Sequence, residues 1–347
     1  MRVVVVGAGV YGAAVAAALA RRGAAVTVVD GSAPGSGTSG ASFAWVNSRN
    51  KQPLHYHELN VAGMAAHRQL AAEVPLGDWY HGGGGLTWGG TEVRERVDAL
   101  RELGYAAEVV TRAEAMELEP GIDPARLPDD GIGYFPDEGW VEPVRLIGHL
   151  LARGVQLVTG DAVVAVDLRG DVVRGVRLAS GVEIGADAVV NCAGAKAAEV
   201  AAMVGLTLPM SNLRCLLVYT SPVAVPLARV VHAPDVHLRP EGDGRILLHS
   251  GEIDRNGEVE KLVHAAASVY PGIRHATVES VRAGERPIPG DGLPVLGRVA
   301  GVRNYFFAVS HSAVTLCLHV GGLVADEVLG EERDELAAYR VERFGQA

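Results

Sequence analysis

Cysteine is scarce in this chain of 347 residues. Cys192, Cys215 and Cys317 are odd in number, far apart and without a CxxC pair. That pattern excludes a disulfide framework and offers no zinc site; it suits free thiols in a reducing compartment, with the cytoplasm as the expectation. Excess positive charge is also missing. The 31 basic and 41 acidic side chains leave a formal charge of −10, so no basic field exists for a phosphate backbone and nucleic acid is not an expected partner. No uninterrupted apolar run reaches the roughly 18 residues a membrane helix needs. The apolar start from Arg2 to Ala20 resembles a secretory leader only superficially, because Gly7, Gly9 and Gly12 interrupt it. A membrane is therefore not expected either. Internal repeats, low-complexity tracts and a dividing linker are absent as well, and nothing specifies an oligomeric state.

Glycine, by contrast, is abundant. Its 44 residues have no collagen period, and only 17 prolines accompany them. Against a typical content of ~7%, this excess implies many tight turns and close approaches of backbone to ligand. With 48% hydrophobic residues, the chain has core material for roughly two domains of ~150 residues.

The first thirty residues carry the sharpest signal. Residues 2–6, Arg-Val-Val-Val-Val, read as a strand buried on both faces. Gly7-Ala8-Gly9-Val10-Tyr11-Gly12 follows at once, then a helical pattern over 13–22 ended by Gly23, then an apolar strand over 25–29 closing on Asp30. In this fingerprint Gly7 permits the tight turn, Gly9 lets a pyrophosphate approach the backbone, and Gly12 allows close helix–strand packing. The helix N-terminus offers unpaired N–H groups and partial positive charge to the phosphates. Asp30 is placed to accept from ribose hydroxyls and would repel a 2′-phosphate, which disfavours NADP. The fingerprint alone does not separate FAD from NAD.

Downstream, residues 31–42 form a small-residue loop that reads either as a surface connection or as a second backbone cradle. Helical patterns span 54–73 and 92–119, and a glycine-rich stretch, 81–88, leads to a short strand. Short strands at 155–158, 162–168, 172–178 and 182–184 read as a meander, and 188–192 as a return to the nucleotide-binding sheet, ending in Ala193-Gly194. Residues 213–220, 236–239 and 245–249 look antiparallel, with a hairpin turn at Glu241-Gly-Asp-Gly244. A strand over 305–309 precedes Ser310-His-Ser312 and a final helix.

Five motifs in this order, over nearly the whole chain, resemble the FAD-dependent D-amino acid oxidase family, which includes glycine and sarcosine oxidases. They are the N-terminal fingerprint, Thr38-Ser39-Gly-Ala-Ser42-Phe43, Asn191-Cys-Ala-Gly194, Gly284-Glu-Arg286-Pro287 with Asp291-Gly-Leu-Pro294, and His311-Ser312-Ala-Val-Thr315-Leu316. The resemblance implies an α/β chain of two domains: a Rossmann-like FAD-binding domain from segments 1–75, 145–205 and 290–347, and an antiparallel-sheet substrate domain from 76–144 and 206–289. It implies that Gly7, Gly9, Val10, Tyr11 and Gly12 hold pyrophosphate, that Asp30 holds the adenosine ribose, and that Thr38, Ser39, Ser42 and Phe43 approach pyrophosphate and isoalloxazine. Val163 or Val164 would meet adenine through the backbone beside Ala193 and Gly194. Ser312, Val314, Thr315 and Leu316 would aim helix N-terminal amides at the flavin's pyrimidine edge.

The chain departs from the family in three places. Asp30 replaces a more usual Glu, Lys196 stands where an aromatic residue is common, and the cysteine that attaches flavin in sarcosine oxidases, shortly after the Arg-Pro pair, is missing. FAD is therefore expected to be non-covalent. Cys317 lies near the expected flavin but within a helical apolar pattern, as a packed thiol would. The implied reaction is hydride loss from an amine or amino acid, with O2 as final acceptor and H2O2 as product. It needs orientation and a dry pocket more than a protein acid or base, so none is assigned. Arg286 is the expected anchor for a substrate carboxylate, and His237, His311 and His249 are further candidates for the substrate pocket. A dehydrogenase passing electrons to a carrier, an NAD-dependent enzyme and a non-catalytic dinucleotide-binding protein are the alternatives.

Overall fold

The valine run at the N terminus forms the strand Arg2–Val6 in the middle of a six-stranded sheet. This computed structural model describes residues 1–90, 92–152, 154–250 and 258–345; the last two residues of the expected 290–347 segment, like 251–257 of the 206–289 segment, lie outside them. The strand is flanked in parallel by Ala25–Asp30 and Ala188–Asn191, and these by Val155–Thr159 and Tyr305–Val309; Val295–Arg298 closes one edge antiparallel. Burial on both faces explains the lack of polar alternation in the first strand. Val3 and Val5 join the core under the helices Val10–Arg21 and Ala313–Val328, while Val4 and Val6 join the core on the opposite face.

On that opposite face Val163–Arg169, Val172–Leu178 and Glu183–Gly185 form a three-stranded antiparallel meander. The expected first member of the meander, 155–158, is a strand but belongs to the parallel sheet beside Ala25–Asp30. The helix Pro143–Leu151 delivers it there, so it starts in register with the sheet before the chain turns at Gly160, which has φ +75°.

A second sheet has eight strands in the order Val278–Arg286, Leu213–Thr220, Arg245–His249, His237–Glu241, Val230–His232, Gly85–Thr87, Ile132–Phe135 and Glu108–Val110. It is antiparallel apart from the pairing of Val230–His232 with Gly85–Thr87. The turn at 241–244 closes the expected hairpin, with Asp243 and Gly244 both at positive φ. The helical pattern read over 92–119 is instead a helix, Val93–Glu102, a strand, Glu108–Val110, and a second helix, Arg112–Leu118. Gly104 at φ +76° stops the first helix. The second restarts from a capping box, in which Thr111 Oγ1 accepts from the Glu114 amide and Glu114 accepts from the Thr111 amide. A three-stranded sheet of Trp45–Val46, Gly139–Val141 and Tyr80–Gly82 lies in the order 45–46, 139–141, 80–82. No helix among the described residues is long and apolar enough to cross a membrane.

Candidate active site

The turn after the first strand is built as the fingerprint requires. Gly7 has φ +105°, and a Cβ there would lie 2.5 Å from the Cys192 carbonyl. A Cβ on Gly12 would collide with the Gly7 carbonyl, so that glycine seats the helix against the turn, and it does not line the cavity described below. Gly9 differs from both. It is the N-cap of the helix Val10–Arg21, which begins three residues earlier than the alanine-rich pattern suggests. A Cβ on Gly9 would meet only the Ser39 hydroxyl, at 3.0 Å. Bare backbone therefore faces open space at a helix N-terminus with no acidic residue in its first turn, as a phosphate site needs. The Val10 amide donates to Ser39 Oγ at 3.1 Å.

That space is a cavity of about 890 Å³, within the ~300–1,000 Å³ typical of ligand sites. It reaches Asp30, Val163 and Lys196 as well as His237, His249 and Arg286. Asp30 Oδ2 accepts from the Ala8 amide at 2.7 Å and Oδ1 from the Ser32 amide at 2.8 Å, which fixes the carboxylate beside the fingerprint and leaves lone pairs for a hydroxyl. Val163 is 9% exposed and lines the cavity, whereas Val164 is 47% exposed and does not. Strand alternation separates the two candidates, and Val163 is the one brought to the site. Ala193 and Gly194 line it too, held by Asn191, whose side chain accepts from the Ala193 amide and donates to Tyr305 Oη. Lys196 lines the same end.

The small-residue loop is fastened along the cavity and is not a loose connection. Gly35 donates its amide to Ala8 O, and the turn Thr38–Ala41 carries Thr38, Ser39 and Ala41 to the cavity, with Ser42 and Phe43 following. Thr38 Oγ1 donates to Glu285 O, and Arg282 Nη1 donates to Gly40 O at 3.2 Å. A Cβ on Gly284 would lie 2.5 Å from Ala41 O. The loop is thereby fastened to the strand that ends in Arg286.

From the opposite side the helix Ala313–Val328 points its N-terminus at the cavity through Ser312, Ala313, Val314 and Thr315. Ser312 Oγ accepts from Tyr56 Oη at 2.8 Å, and His67 Nε2 donates to Val314 O at 2.7 Å. Leu316 turns into the core and does not line this cavity. Cys317 is fully buried and donates to Val314 O, and burial pushes its thiol up to about 12; it is a packed thiol.

The remaining wall is aromatic and imidazole. His237 lies in contact with His232 (ring centroids 4.2 Å apart), and both His237 and His249 lie near Phe43, at 6.2 and 5.6 Å. Trp45 packs on His232, with ring centroids 3.9 Å apart and planes tilted by 37°. Arg286 Nη1 donates to His311 Nε2 at 3.4 Å, and His249 Nδ1 donates to Leu216 O at 3.1 Å. Burial is the main cause that lowers these imidazoles, with neighbouring cationic or imidazole groups adding to it: His237 to about 3, His249 and His311 to about 4. They are neutral at pH 7 and too weak as bases to deprotonate an amine. His311, which accepts on Nε2, carries its proton on Nδ1.

The sequence reading missed several cavity residues, among them Trp45, Asn47, Asn50, Lys51 and His232. Behind Trp45 lies a buried ion pair, Arg49 Nε to Glu138 Oε1 at 3.7 Å, with the guanidinium 4.2 Å from the Trp45 ring and Trp45 Nε1 donating to Glu138 at 3.0 Å. The available signal was the polar run Asn47-Ser-Arg-Asn-Lys51 directly after an apolar pair, too polar for core yet flanked by it.

Comparison with known proteins agrees with this geometry. The family model described as FAD dependent oxidoreductase (DAO) matches residues 2–327. A glycine oxidase of Geobacillus kaustophilus is 30% identical, with 96% of this chain and 94% of that protein covered. The crystal structure of glycine oxidase from Geobacillus kaustophilus superposes with a TM-score of 0.88 at 28% identity, covering 99% of each chain. L-proline dehydrogenase from P. horikoshii shares the fold, with a TM-score of 0.88 at 20% identity over 99% of this chain and 97% of that one.

Proposed function

The chain belongs to the DAO family of FAD-dependent oxidoreductases, and from that premise we propose that it oxidises the C–N bond of a small amino acid or other carboxylate-bearing amine, with O2 as final acceptor and H2O2 as product. The observation that carries this reading is a single cavity joining a bare-backbone phosphate cradle at Gly9 to Arg286 and a wall of neutral imidazoles. Bound FAD supplies the acceptor for the electron pair of the substrate's α-C–H bond. Arg286 offers a fork that matches a carboxylate and fixes the α-carbon's position. Phe43, Trp45 and His232 exclude water around it. His237, His249 and His311 give hydrogen bonds without charge, so they do not repel an amine.

The test is a panel of amines assayed for peroxide. Peroxide formed from glycine-sized amino acids supports the reading. Dye reduction without peroxide would make the enzyme a dehydrogenase, and no turnover of any amine would overturn the proposal.

Non-covalent FAD is supported by the cysteines that reach the cavity. Burial raises both the Cys192 and Cys215 thiols, which suppresses the thiolate needed for attachment. Purified protein should be yellow, and acid precipitation should leave FAD in the supernatant. Flavin on the pellet would refute the non-covalent reading alone.

The pH profile gives a further check. Because burial lowers His237 to about 3, His249 and His311 to about 4, and His232 well below its ordinary value, none changes charge between about pH 5 and 7.5. In that window log kcat/KM for glycine should climb smoothly as the substrate amine loses its proton, with no inflection from an enzyme imidazole. An inflection near the ordinary histidine value that vanishes in His237→Asn would contradict the neutral wall.

A further inference from the structure

Lys51 lines the same cavity as Arg286 and is used by nothing described above. It follows the strand Trp45–Val46 and lies half-buried over the Tyr56 ring, with Nζ 5.7 Å from the centroid. Among the described residues no carboxylate lies within ion-pair distance of its ammonium. Tyr56 faces it from the helix Leu54–Glu73, and His311 from the turn before the helix Ala313–Val328; Arg286, at the end of the strand Val278–Arg286, lies beyond His311. Both cations act on His311 and depress its protonation. Of the cavity's carboxylates, Asp30 is held by backbone amides beside the fingerprint, Glu199 lines the Lys196 end, and Glu285 is exposed on the strand that ends in Arg286. The substrate end thus has two cationic side chains around a neutral imidazole. Such an arrangement is complementary to a dianion, since a partly desolvated ammonium without a counter-charge is stabilised by any anion that reaches it.

We propose that Lys51 is a second anion subsite, and that the preferred substrates are amines carrying two carboxylates, one for Arg286 and one for Lys51. This rests on the amine-oxidising function proposed above for the same cavity. Lys51 then determines specificity, while the α-carbon remains positioned by Arg286.

The test is binding to the FAD-loaded enzyme, read by the change in flavin absorbance on titration with malonate, succinate and acetate, none of which can be oxidised as an amine. The wild type should bind the better dicarboxylate about tenfold or more tightly than acetate. In Lys51→Met that preference should fall to about one, and Lys51→Arg should keep most of it. The preference should also fade as pH rises through about 8, where desolvation places loss of the Lys51 proton. The other groups facing Lys51 keep their charge there: burial raises the Tyr56 phenol, His311 is already neutral, and guanidinium groups do not titrate in this range. Lys51→Met should show no such fading.

Equal affinity for dicarboxylates and acetate in the wild type, or an undiminished preference in Lys51→Met, would overturn the subsite. A uniform loss for acetate and dicarboxylates alike, with slower reoxidation by O2, would also overturn it and assign Lys51 to the flavin instead. A preference that behaves as expected in a protein that no amine reduces would leave the subsite standing and remove the amine-oxidase function.

Discussion

Gly9→Val should yield a folded protein stripped of FAD. Gly9 has φ −79° and ψ −173°, an extended conformation that any L-residue adopts, so the backbone is not strained by a side chain. The first methylene-sized atom would meet one flexible group, the Ser39 hydroxyl at 3.0 Å, which can rotate away. The valine methyls then occupy the cavity at the start of the helix, where a pyrophosphate would accept backbone hydrogen bonds. Valine is a poorer N-cap than glycine, a cost of about 1 kcal/mol. The larger effect is lost linkage: at a thousandfold excess of FAD over its Kd, binding contributes about 4 kcal/mol to stability.

The expected result is a native-like circular dichroism spectrum, an FAD-to-protein ratio reduced about tenfold or more, and a melting temperature that no longer responds to added FAD. Gly12→Ala is the contrasting control. Its Cβ would lie 1.8 Å from the Gly7 carbonyl, inside the turn itself, so that variant should fail by misfolding. Normal flavin content in soluble, folded Gly9→Val would show that the phosphates lie elsewhere.

These glycines also show why the nucleotide half was legible in the sequence. The fingerprint lies within thirty residues and its glycines act through backbone geometry, which leaves a local signal even where, as at Gly7, the backbone they meet is distant in sequence. The strands Arg2–Val6, Val172–Leu178, Leu213–Thr220 and Tyr305–Val309 have the bounds that their apolar runs suggest. Where partners are distant, local pattern was insufficient. Val155–Thr159 reads like its meander neighbours, and only pairing with Ala25–Asp30 assigns it to the parallel sheet. The mixed-charge pattern over 92–119 hid a three-residue strand because Glu108–Val110 is too short to show a period.

The substrate end was the least legible part. His232, His237 and His249 come from three strands of the eight-stranded sheet, and Phe43 and Trp45 from the cradle side. Their packing depends on how that sheet faces the cradle loop, which no spacing encodes. Lys51 was overlooked for a related reason: a lysine in a polar run normally indicates solvent, and only the surrounding cavity makes it notable.

The function proposed for Arg286 has the next largest expected effect. Arg286→Ala should retain FAD and fold but lose activity on amino acids. Removing one member of a desolvated charge pair costs about 2–5 kcal/mol, or roughly 30- to 3000-fold in kcat/KM. If the carboxylate contact is equally strong in ground and transition states, most of that loss is in KM. Lysine should rescue only partly, because an ammonium cannot reproduce the bidentate fork.

The competing role, a tie between the eight-stranded sheet and the cradle loop, is carried by neighbours instead. Thr38 donates to Glu285 O, Arg282 donates to Gly40 O, and Gly284 packs on Ala41 O. None of these contacts uses the Arg286 side chain, so the alanine variant keeps them. A purely structural arginine would give the opposite pattern, with lower thermal stability and flavin content and a normal KM in the surviving fraction. A stable, FAD-replete Arg286→Ala enzyme with unchanged kcat/KM on amino acids would end the carboxylate-anchor role. An uncharged amine would then be the better candidate for the substrate.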